Sequence, residues 1–181
     1  MILDATAGNR TMWEYKNNPN VIYLDMEKRL EIKPTIFADH RQLPFKAEVF
    51  DTIFYDPPHY WGNAVHYFSF PNRELRRKVF PDTSGVPTYY GWDKYKTKSG
   101  LIKSIYQAQK EFWRVLKKDG LLWLKWNEMA IELRKILAIF NRWRVMMKLY
   151  IQDPTHTAGK HQTYWVCLCK DLRKAAQTTL M

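Results

Sequence analysis

Residues 2–10 read ILDATAGNR, an apolar run that ends on an aspartate and leads into a turn of small residues. Residues 21–25, 35–39 and 51–56 repeat the apolar run with its aspartate, as VIYLD, TIFAD and DTIFYD. Short apolar strands that alternate with polar or helical stretches are typical of a mostly parallel sheet in an α/β domain. Ligands of such sheets bind outside the carboxyl ends of the strands, so we expect these aspartates to meet at one crevice.

The sequence of the second half of the chain predicts helices and the remaining strands. Apolar residues recur at helical spacing over residues 101–118, and Gly120 is expected as the C-terminal cap of this helix. Residues 121–126 predict a buried strand, and a second helix is expected from a cap at Asn127 to Phe140. The tail then predicts an antiparallel hairpin at a sheet edge, built from residues 144–151 and 162–170.

Length and composition indicate one soluble domain over residues 1–181. No stretch approaches the roughly 18 apolar residues of a membrane span, and no signal peptide is recognisable, so we expect a cytoplasmic protein without a membrane partner. The formal charge of +11 favours a polyanionic partner. The 8 Trp, 11 Tyr and 9 Phe suit base stacking beside phosphate contacts, although most of these rings are expected in the core.

The two cysteines, Cys167 and Cys169, lie two residues apart on the last predicted strand. Side chains at this spacing share one face with poor geometry for a disulfide, so buried thiols are expected. A zinc site with His156 and His161 is the alternative, but its spacing matches no common finger or ribbon. We therefore expect no metal.

Residues 61–99 fit the alternation of strands and helices poorly and are interpreted as an insertion, a candidate loop or subdomain for substrate recognition. Seven basic and three acidic residues give this segment a charge of +4. A basic aromatic loop could hold a flipped base and its flanking phosphates. The candidate substrate-binding residues are Trp61, Arg76, Arg77, Lys78, Tyr89, Tyr90 and Trp92. The alternative is a subdomain that packs on itself.

Three strand ends suggest a nucleoside cofactor. The small residues of the turn after the first strand allow a close approach of backbone to a ligand. Asp25, about 20 residues further on, could accept hydrogen bonds from both hydroxyls of a ribose. Asp39, at the end of the third strand, could bind an adenine amino group. Each aspartate taken singly could instead be a helix N-cap.

The most specific motif is Asp56-Pro57-Pro58-His59-Tyr60, directly after an apolar strand. The two prolines stiffen the turn and remove backbone donors, so the loop presents acceptors. An exocyclic aromatic amine is a poor nucleophile because its lone pair is delocalised into the ring. Hydrogen bonds to the Asp56 carboxylate and the Pro57 carbonyl would favour a pyramidal nitrogen aimed at a sulfonium methyl group.

The order of these motifs resembles class I S-adenosylmethionine-dependent methyltransferases that carry an Asp/Asn/Ser-Pro-Pro-aromatic tetrapeptide. That group includes DNA adenine-N6 and cytosine-N4, RNA guanine-N2 and release-factor glutamine methyltransferases. The resemblance covers residues 1 to about 170 and implies a Rossmann-like methyltransferase fold. This fold is an α/β domain with a mostly parallel seven-stranded sheet, a C-terminal antiparallel hairpin and helices on both faces. The implied cofactor is S-adenosyl-L-methionine.

The resemblance assigns roles to individual positions. The implied cofactor-binding residues are Asp4, Ala5, Thr6, Gly8, Asp25, Asp39 and His40, and the implied catalytic residues are Asp56, Pro57, Pro58, His59 and Tyr60. His59 occupies the position of the family's stacking aromatic, and Tyr60 follows it. Either ring could therefore stack on the target base. The family's usual helical segment before the first strand is absent from the sequence.

The preferred function is methyl transfer to an exocyclic amino group of a nucleic-acid base, with DNA adenine N6 or cytosine N4 favoured. RNA guanine N2 or adenine N6, in tRNA or rRNA, is the alternative. A glutamine methyltransferase would not explain the positive charge. A rival of another class is a catalytically silent methyltransferase-like subunit that binds nucleic acid. A nicotinamide-dependent dehydrogenase is the weakest rival, because the sequence lacks the glycine fingerprint of those enzymes.

Overall fold

The computed structural model describes residues 1–59, 61, 95–128, 130–151 and 162–173. Its strands are β1 (Ile2–Asp4), β2 (Val21–Asp25), β3 (Ile36–Phe37), β4 (Phe50–Tyr55), β5 (Leu116–Asn127), β6 (Trp143–Ile151) and β7 (Thr163–Lys170). They form one sheet of order β3-β2-β1-β4-β5-β7-β6. The first five strands pair in parallel, and β7 runs antiparallel to both β5 and β6. The expected sheet, with its C-terminal hairpin at an edge, is confirmed.

The helix α1 (Lys98–Val115) is amphipathic and covers one face of the sheet. It begins after Thr97, whose hydroxyl oxygen accepts a hydrogen bond from the Gly100 amide at 3.1 Å. Its buried residues recur every three or four positions, as a core-facing helix requires. They are Leu101, Ser104, Ile105, Ala108, Gln109, Phe112 and Val115.

Two of the expected helix boundaries are wrong. Gly120 does not cap α1, because the helix ends at Val115 and Gly120 lies within β5, where a Cβ would come within 2.6 Å of Leu116. The helix expected from Asn127 is replaced by a short α2 (Leu133–Leu137) and a 3₁₀ helix (Ala138–Phe140). Asn127 belongs to β5 because it continues the pairing of that strand with β7.

The expected insertion also overlaps α1, which begins at Lys98. Residues 8–20, which connect β1 to β2, form a series of turns. Arg10 in this stretch has a φ of 56°, which interrupts helical geometry.

Alternate residues of β5 face opposite sides of the sheet. Leu122, Leu124 and Trp126 are fully buried in the core that also contains α1 and α2. Trp123 and Lys125 point to the other face, where a small cluster near the start of the chain packs around Tyr23. Within the described ranges no helix covers this second face, and no described helix is long and apolar enough to cross a membrane.

Cys167 is buried on β7 and Cys169 is half-buried two positions along the same strand, and both are free thiols. Their pairing with β5 and β6 places them inside the sheet rather than in a metal-binding loop. The described residues contain no group of three potential metal ligands, while His156 and His161 lie outside those residues.

Candidate active site

A cleft with a cavity of about 140 Å³ opens at the carboxyl ends of β1, β2 and β4. It brings together seven of the residues predicted from the sequence: Ala5, Thr6, Gly8, Asp25, His40, Asp56 and Pro58. Parallel strands end on one edge of the sheet, so residues separated by up to half the chain converge there.

The glycine turn is shaped to bring its backbone close to a ligand. Gly8 has a φ of +50°, and a Cβ at this position would meet nothing within 4 Å, so the backbone borders open space. The Gly8 amide donates to Oδ2 of Asp25 at 2.9 Å. The next turn is anchored by Arg10, whose guanidinium donates to the carbonyl oxygens of Lys16 and Lys33 and lies 3.9 Å from the Tyr23 ring centroid.

Asp25 keeps acceptor capacity for a ligand. Its Oδ2 accepts from Gly8, and its Oδ1 accepts from the Glu27 amide at 2.8 Å. Each carboxylate oxygen has a second lone pair, and Asp25 lines the cleft, so both oxygens can also accept from ribose hydroxyls. The two backbone donors fix the orientation of the carboxylate before any ligand arrives.

Asp4 lies beneath the cleft rather than on its surface. It is fully buried, and its carboxylate accepts from the Trp13 indole at 2.7 Å and from the Thr6 amide at 3.3 Å. Burial raises the pKa of Asp4 from 3.8 to about 7, against the lowering effect of these hydrogen bonds, and the nearby carboxylates of Asp56 and Asp25 raise it further. Three carboxyl groups thus converge at this end of the sheet.

Asp4 should make folding stability depend on pH. Between about pH 4 and pH 7 the folded state holds a proton that the unfolded state has released, so stability falls as pH rises and levels off above the folded pKa. The rise from 3.8 to about 7 corresponds to about 4 kcal/mol. Asp4→Asn should weaken this decline, because an amide side chain does not titrate in this range. Denaturant unfolding at pH 5 and pH 8 measures the decline, and a variant that keeps the wild-type pH dependence would contradict the expectation.

Asp56 lines the cleft, and contacts of both its backbone and its carboxylate hold it in place. Its backbone amide donates to the Thr6 hydroxyl at 2.8 Å, which ties the end of β4 to the glycine turn. Its Oδ2 accepts from the Lys125 ammonium at 2.7 Å, and its Oδ1 lies 3.5 Å from Nε2 of His59. Pro57 is buried and Pro58 lines the cleft, so the turn is packed as well as stiff.

His59 points into the protein. Its ring makes an edge contact with Trp126, with centroids 5.1 Å apart and planes at 86°, and its Nδ1 is buried with no hydrogen-bond partner. Burial lowers the pKa of His59; Asp56 opposes this effect and Lys125 adds to it. His59 is therefore a neutral ring packed against Trp126, while Tyr60, the other stacking candidate, lies outside the described residues.

Asp39 and His40, two neighbouring residues that the resemblance assigns to the cofactor, separate in the structure. The Asp39 carboxylate accepts two hydrogen bonds from Nε of Arg41 at 2.9 Å and one from a terminal guanidinium nitrogen, and it does not line the cleft. His40 is buried, lines the cleft and packs its ring 5.5 Å from Tyr55. The role of Asp39 remains a prediction, because binding adenine would require its carboxylate to share or release Arg41.

A second, wider groove of about 610 Å³ lies on the face of the sheet that no described helix covers. Aromatic rings from three strands and the first turn line it, together with one cation. The lining residues are Met12, Trp13, Phe54, Trp123, Lys125, Leu149 and Trp165. Met12 also lines the first cleft, and Lys125 reaches Asp56, so the two cavities adjoin at the turn that contains Asp56.

Several residues that line or adjoin the cleft were not predicted from the sequence. They are Asn9, Thr11, Met12, Met26, Leu30 and Tyr95, with Lys125 joining through its contact with Asp56. Met26 directly follows Asp25, a signal that could have been used, whereas Tyr95 and Lys125 carry none. Of the proposed substrate-binding residues, Trp61 is half-buried against the core, and Arg76, Arg77, Lys78, Tyr89, Tyr90 and Trp92 lie outside the described residues.

Comparisons with known proteins show a likeness of fold but no related sequence. No known family matches the sequence, and no curated protein matches it. The structure is similar to that of the PH0226 protein from Pyrococcus horikoshii OT3, with a TM-score of 0.51 and 11% identity over 93% of this chain and 81% of that chain. The two proteins share a fold, which in this chain is a mostly parallel seven-stranded α/β sheet with an antiparallel C-terminal hairpin. At 11% identity the likeness concerns the fold alone.

A second solved structure is a Leishmania major protein described as a SAM-dependent methyltransferase. It aligns with a TM-score of 0.47 and 13% identity, over 92% of this chain and 63% of that chain. In the present chain, the cleft occupies the strand ends at which open α/β sheets bind ligands.

Proposed function

We propose that this protein transfers a methyl group from S-adenosylmethionine to an exocyclic amino group of a nucleic-acid base, most favourably adenine N6 or cytosine N4 of DNA. The observation that carries the proposal is the position of Asp56. It precedes two prolines and lines the same cleft as Gly8 and Asp25. An acceptor for an amine therefore lies beside a turn suited to a nucleoside.

The cleft residues fit S-adenosylmethionine, which would supply an electrophilic methyl group on a sulfonium centre. The open space beside Gly8 admits a close ligand, and Asp25 presents two fixed oxygens to a ribose. These features support the cofactor without requiring a metal ligand set.

Asp56 would act on the target amine. Its carboxylate would accept a hydrogen bond from the amino group and hold the nitrogen lone pair in line with the methyl group. The carbonyl oxygen of Pro57 would accept the second amino hydrogen. A proline at position 58 has no amide donor to compete for these acceptors. Pre-oriented acceptors of this kind contribute most when water is excluded.

The net charge of +11 supports nucleic acid as the substrate. Incubation with methyl-labelled S-adenosylmethionine and separate DNA and RNA pools, followed by mass spectrometry of the nucleosides, tests the proposal. We expect N6-methyladenine or N4-methylcytosine in the DNA pool. Methylated guanine in RNA would favour the alternative substrate. Cofactor binding by calorimetry without any methylated nucleoside would identify a catalytically silent subunit instead.

The basic cluster in the segment 61–99 gives a further prediction. Changing Arg76, Arg77 and Lys78 together to Ala should weaken nucleic-acid binding and reduce its salt dependence, because each lost phosphate contact lowers the log-log slope by about 0.7 to 0.9. Fluorescence anisotropy at several salt concentrations measures both quantities. An affinity and a slope that both stay constant would indicate a cluster that serves only the packing of this segment.

The stacking ring at the catalytic turn can be identified by comparing two variants. We expect Tyr60→Ala to slow single-turnover methylation more than His59→Ala, because the His59 ring already packs against Trp126. Loss of base stacking costs roughly 1 to 3 kcal/mol. The reverse order of rates would assign stacking to His59, and His59→Phe should then flatten the change in activity between about pH 5.5 and 7.5.

A further inference from the structure

Both carboxylate oxygens of Asp56 face a nitrogen, but the two contacts differ. Oδ2 accepts from the Lys125 ammonium at 2.7 Å, which is a short charge-assisted hydrogen bond. Oδ1 lies 3.5 Å from Nε2 of His59, which is long for a hydrogen bond. Oδ1 is therefore the oxygen with more acceptor capacity left for a substrate.

Strand pairing places Lys125 beside the catalytic turn. Leu124 pairs with Tyr55 on one side, and Lys125 pairs with Trp165 on the other. The side chain lines the aromatic groove, and its ammonium reaches Asp56 at the rim of the cleft. In this position the apolar part of the lysine side chain can pack against aromatic rings, while its ammonium pairs with Asp56.

The ion pair is partly shielded from water. The side chains of Lys125 and Asp56 are 30% and 20% exposed, so their attraction is stronger than that of a surface pair. The ammonium also balances the charge of Asp56 in a region that already contains the carboxylates of Asp4 and Asp25. A neutral pair favours a neutral aromatic amine as the acceptor over a charged ammonium group such as that of a protein lysine.

We propose that Lys125 is a positioning residue for the methyl transfer, an inference that rests on the proposed function. Its ammonium holds Oδ2 of Asp56, so that Oδ1 is turned to accept the hydrogen bond from the target amine. The amine nitrogen attacks the methyl carbon, the carbon–sulfur electron pair stays on sulfur, and the surplus proton leaves the nitrogen through Oδ1. Lys125 forms no bond with the substrate and acts through Asp56.

The strand that contains Lys125 also provides a matched control. Lys117 lies at the other end of β5, and its ammonium donates to Oδ1 of Asp51 at 2.7 Å. Lys125→Met and Lys117→Met each remove the lysine of an ion pair, with Asp56 directly after β4 in the first case and with Asp51 in β4 in the second, and both keep a long unbranched side chain. Lys125→Arg keeps the charge at the site. Thermal unfolding first establishes that all three variants fold.

The first readout does not depend on activity. Histidine ring signals are followed by NMR across a pH titration, and the signal of His59 among the five histidines is assigned with His59→Gln. Lys125 lowers the pKa of His59, so Lys125→Met should raise that pKa, while Lys117→Met should leave it unchanged. An unaltered His59 titration in Lys125→Met would overturn the placement of the ammonium at Asp56, and with it the positioning role.

The second readout is single-turnover methylation together with the dissociation constant of S-adenosylmethionine. We expect Lys125→Met to slow methylation roughly 10- to 100-fold with little change in cofactor affinity, and Lys125→Arg to recover part of the rate. A wild-type rate in Lys125→Met would overturn the positioning role and leave the proposed function standing. A wild-type protein that methylates no nucleic acid would overturn both, while the titration would still decide whether the ion pair exists.

Discussion

Replacing Asp56 by alanine should slow methyl transfer by about 100- to 1000-fold or more, because the acceptor that orients the target amine is lost. Cofactor affinity should change only a few fold, since Asp25 and the glycine turn remain. Single-turnover rates and calorimetry on the same preparation separate the two effects.

Asp51→Ala is the matched control for this variant. Asp51 lies on the same strand as the residues that lead to Asp56, and it forms ion pairs with Lys117 and the N-terminal amine at the opposite end. Its loss should alter stability slightly and leave methylation at the wild-type rate. Turnover like that of the wild type in Asp56→Ala, in a folded protein, would remove Asp56 from the reaction.

Replacing Asp25 by alanine should weaken binding of S-adenosylmethionine by about 1.5 to 3 kcal/mol, which is roughly 10- to 150-fold in the dissociation constant. The variant loses the paired acceptor for the ribose hydroxyls. It also frees the amides of Gly8 and Glu27, which Asp25 now holds. The glycine turn should therefore lose part of its preorganisation as well.

Asp25→Asn keeps one acceptor oxygen, so its affinity should fall between those of the wild type and Asp25→Ala. Glu31→Ala removes the same charge from an exposed position and serves as the control. Isothermal titration calorimetry at one salt concentration measures all four proteins. Equal dissociation constants for the wild type and Asp25→Ala would remove Asp25 from the cofactor site.

Boundaries were predicted well where one local pattern determines the structure. β2 has the predicted bounds, β4 begins and ends one residue earlier than predicted, and β7 begins one residue later, because each is a short apolar run between polar breaks. The prediction failed where a glycine or asparagine suggested a cap. Gly120 and Asn127 both lie in β5, since the ladder with β7 and the contact with Leu116 outweigh local turn preference.

The candidate site divides in a similar way. Gly8, Asp25 and Asp56 were identified from the sequence because each follows a strand, and the carboxyl ends of parallel strands must meet. Lys125 was missed because its partner lies 69 positions away and its own neighbours are apolar. Asp39 was predicted to face the ligand, yet the side chain of Arg41, two residues away, already holds its carboxylate.

The sequence by itself therefore determined the α/β class, the parallel strands and the aspartates at their ends, because periodicity and breaker residues act over a few positions. Only the tertiary structure decided that Asp4 is buried with a raised pKa, that His59 packs on Trp126, and that Lys125 holds Asp56. These features depend on which strands become neighbours and on how much water is excluded between them. Neither the strand neighbours nor the exclusion of water can be predicted from the few residues around any one position.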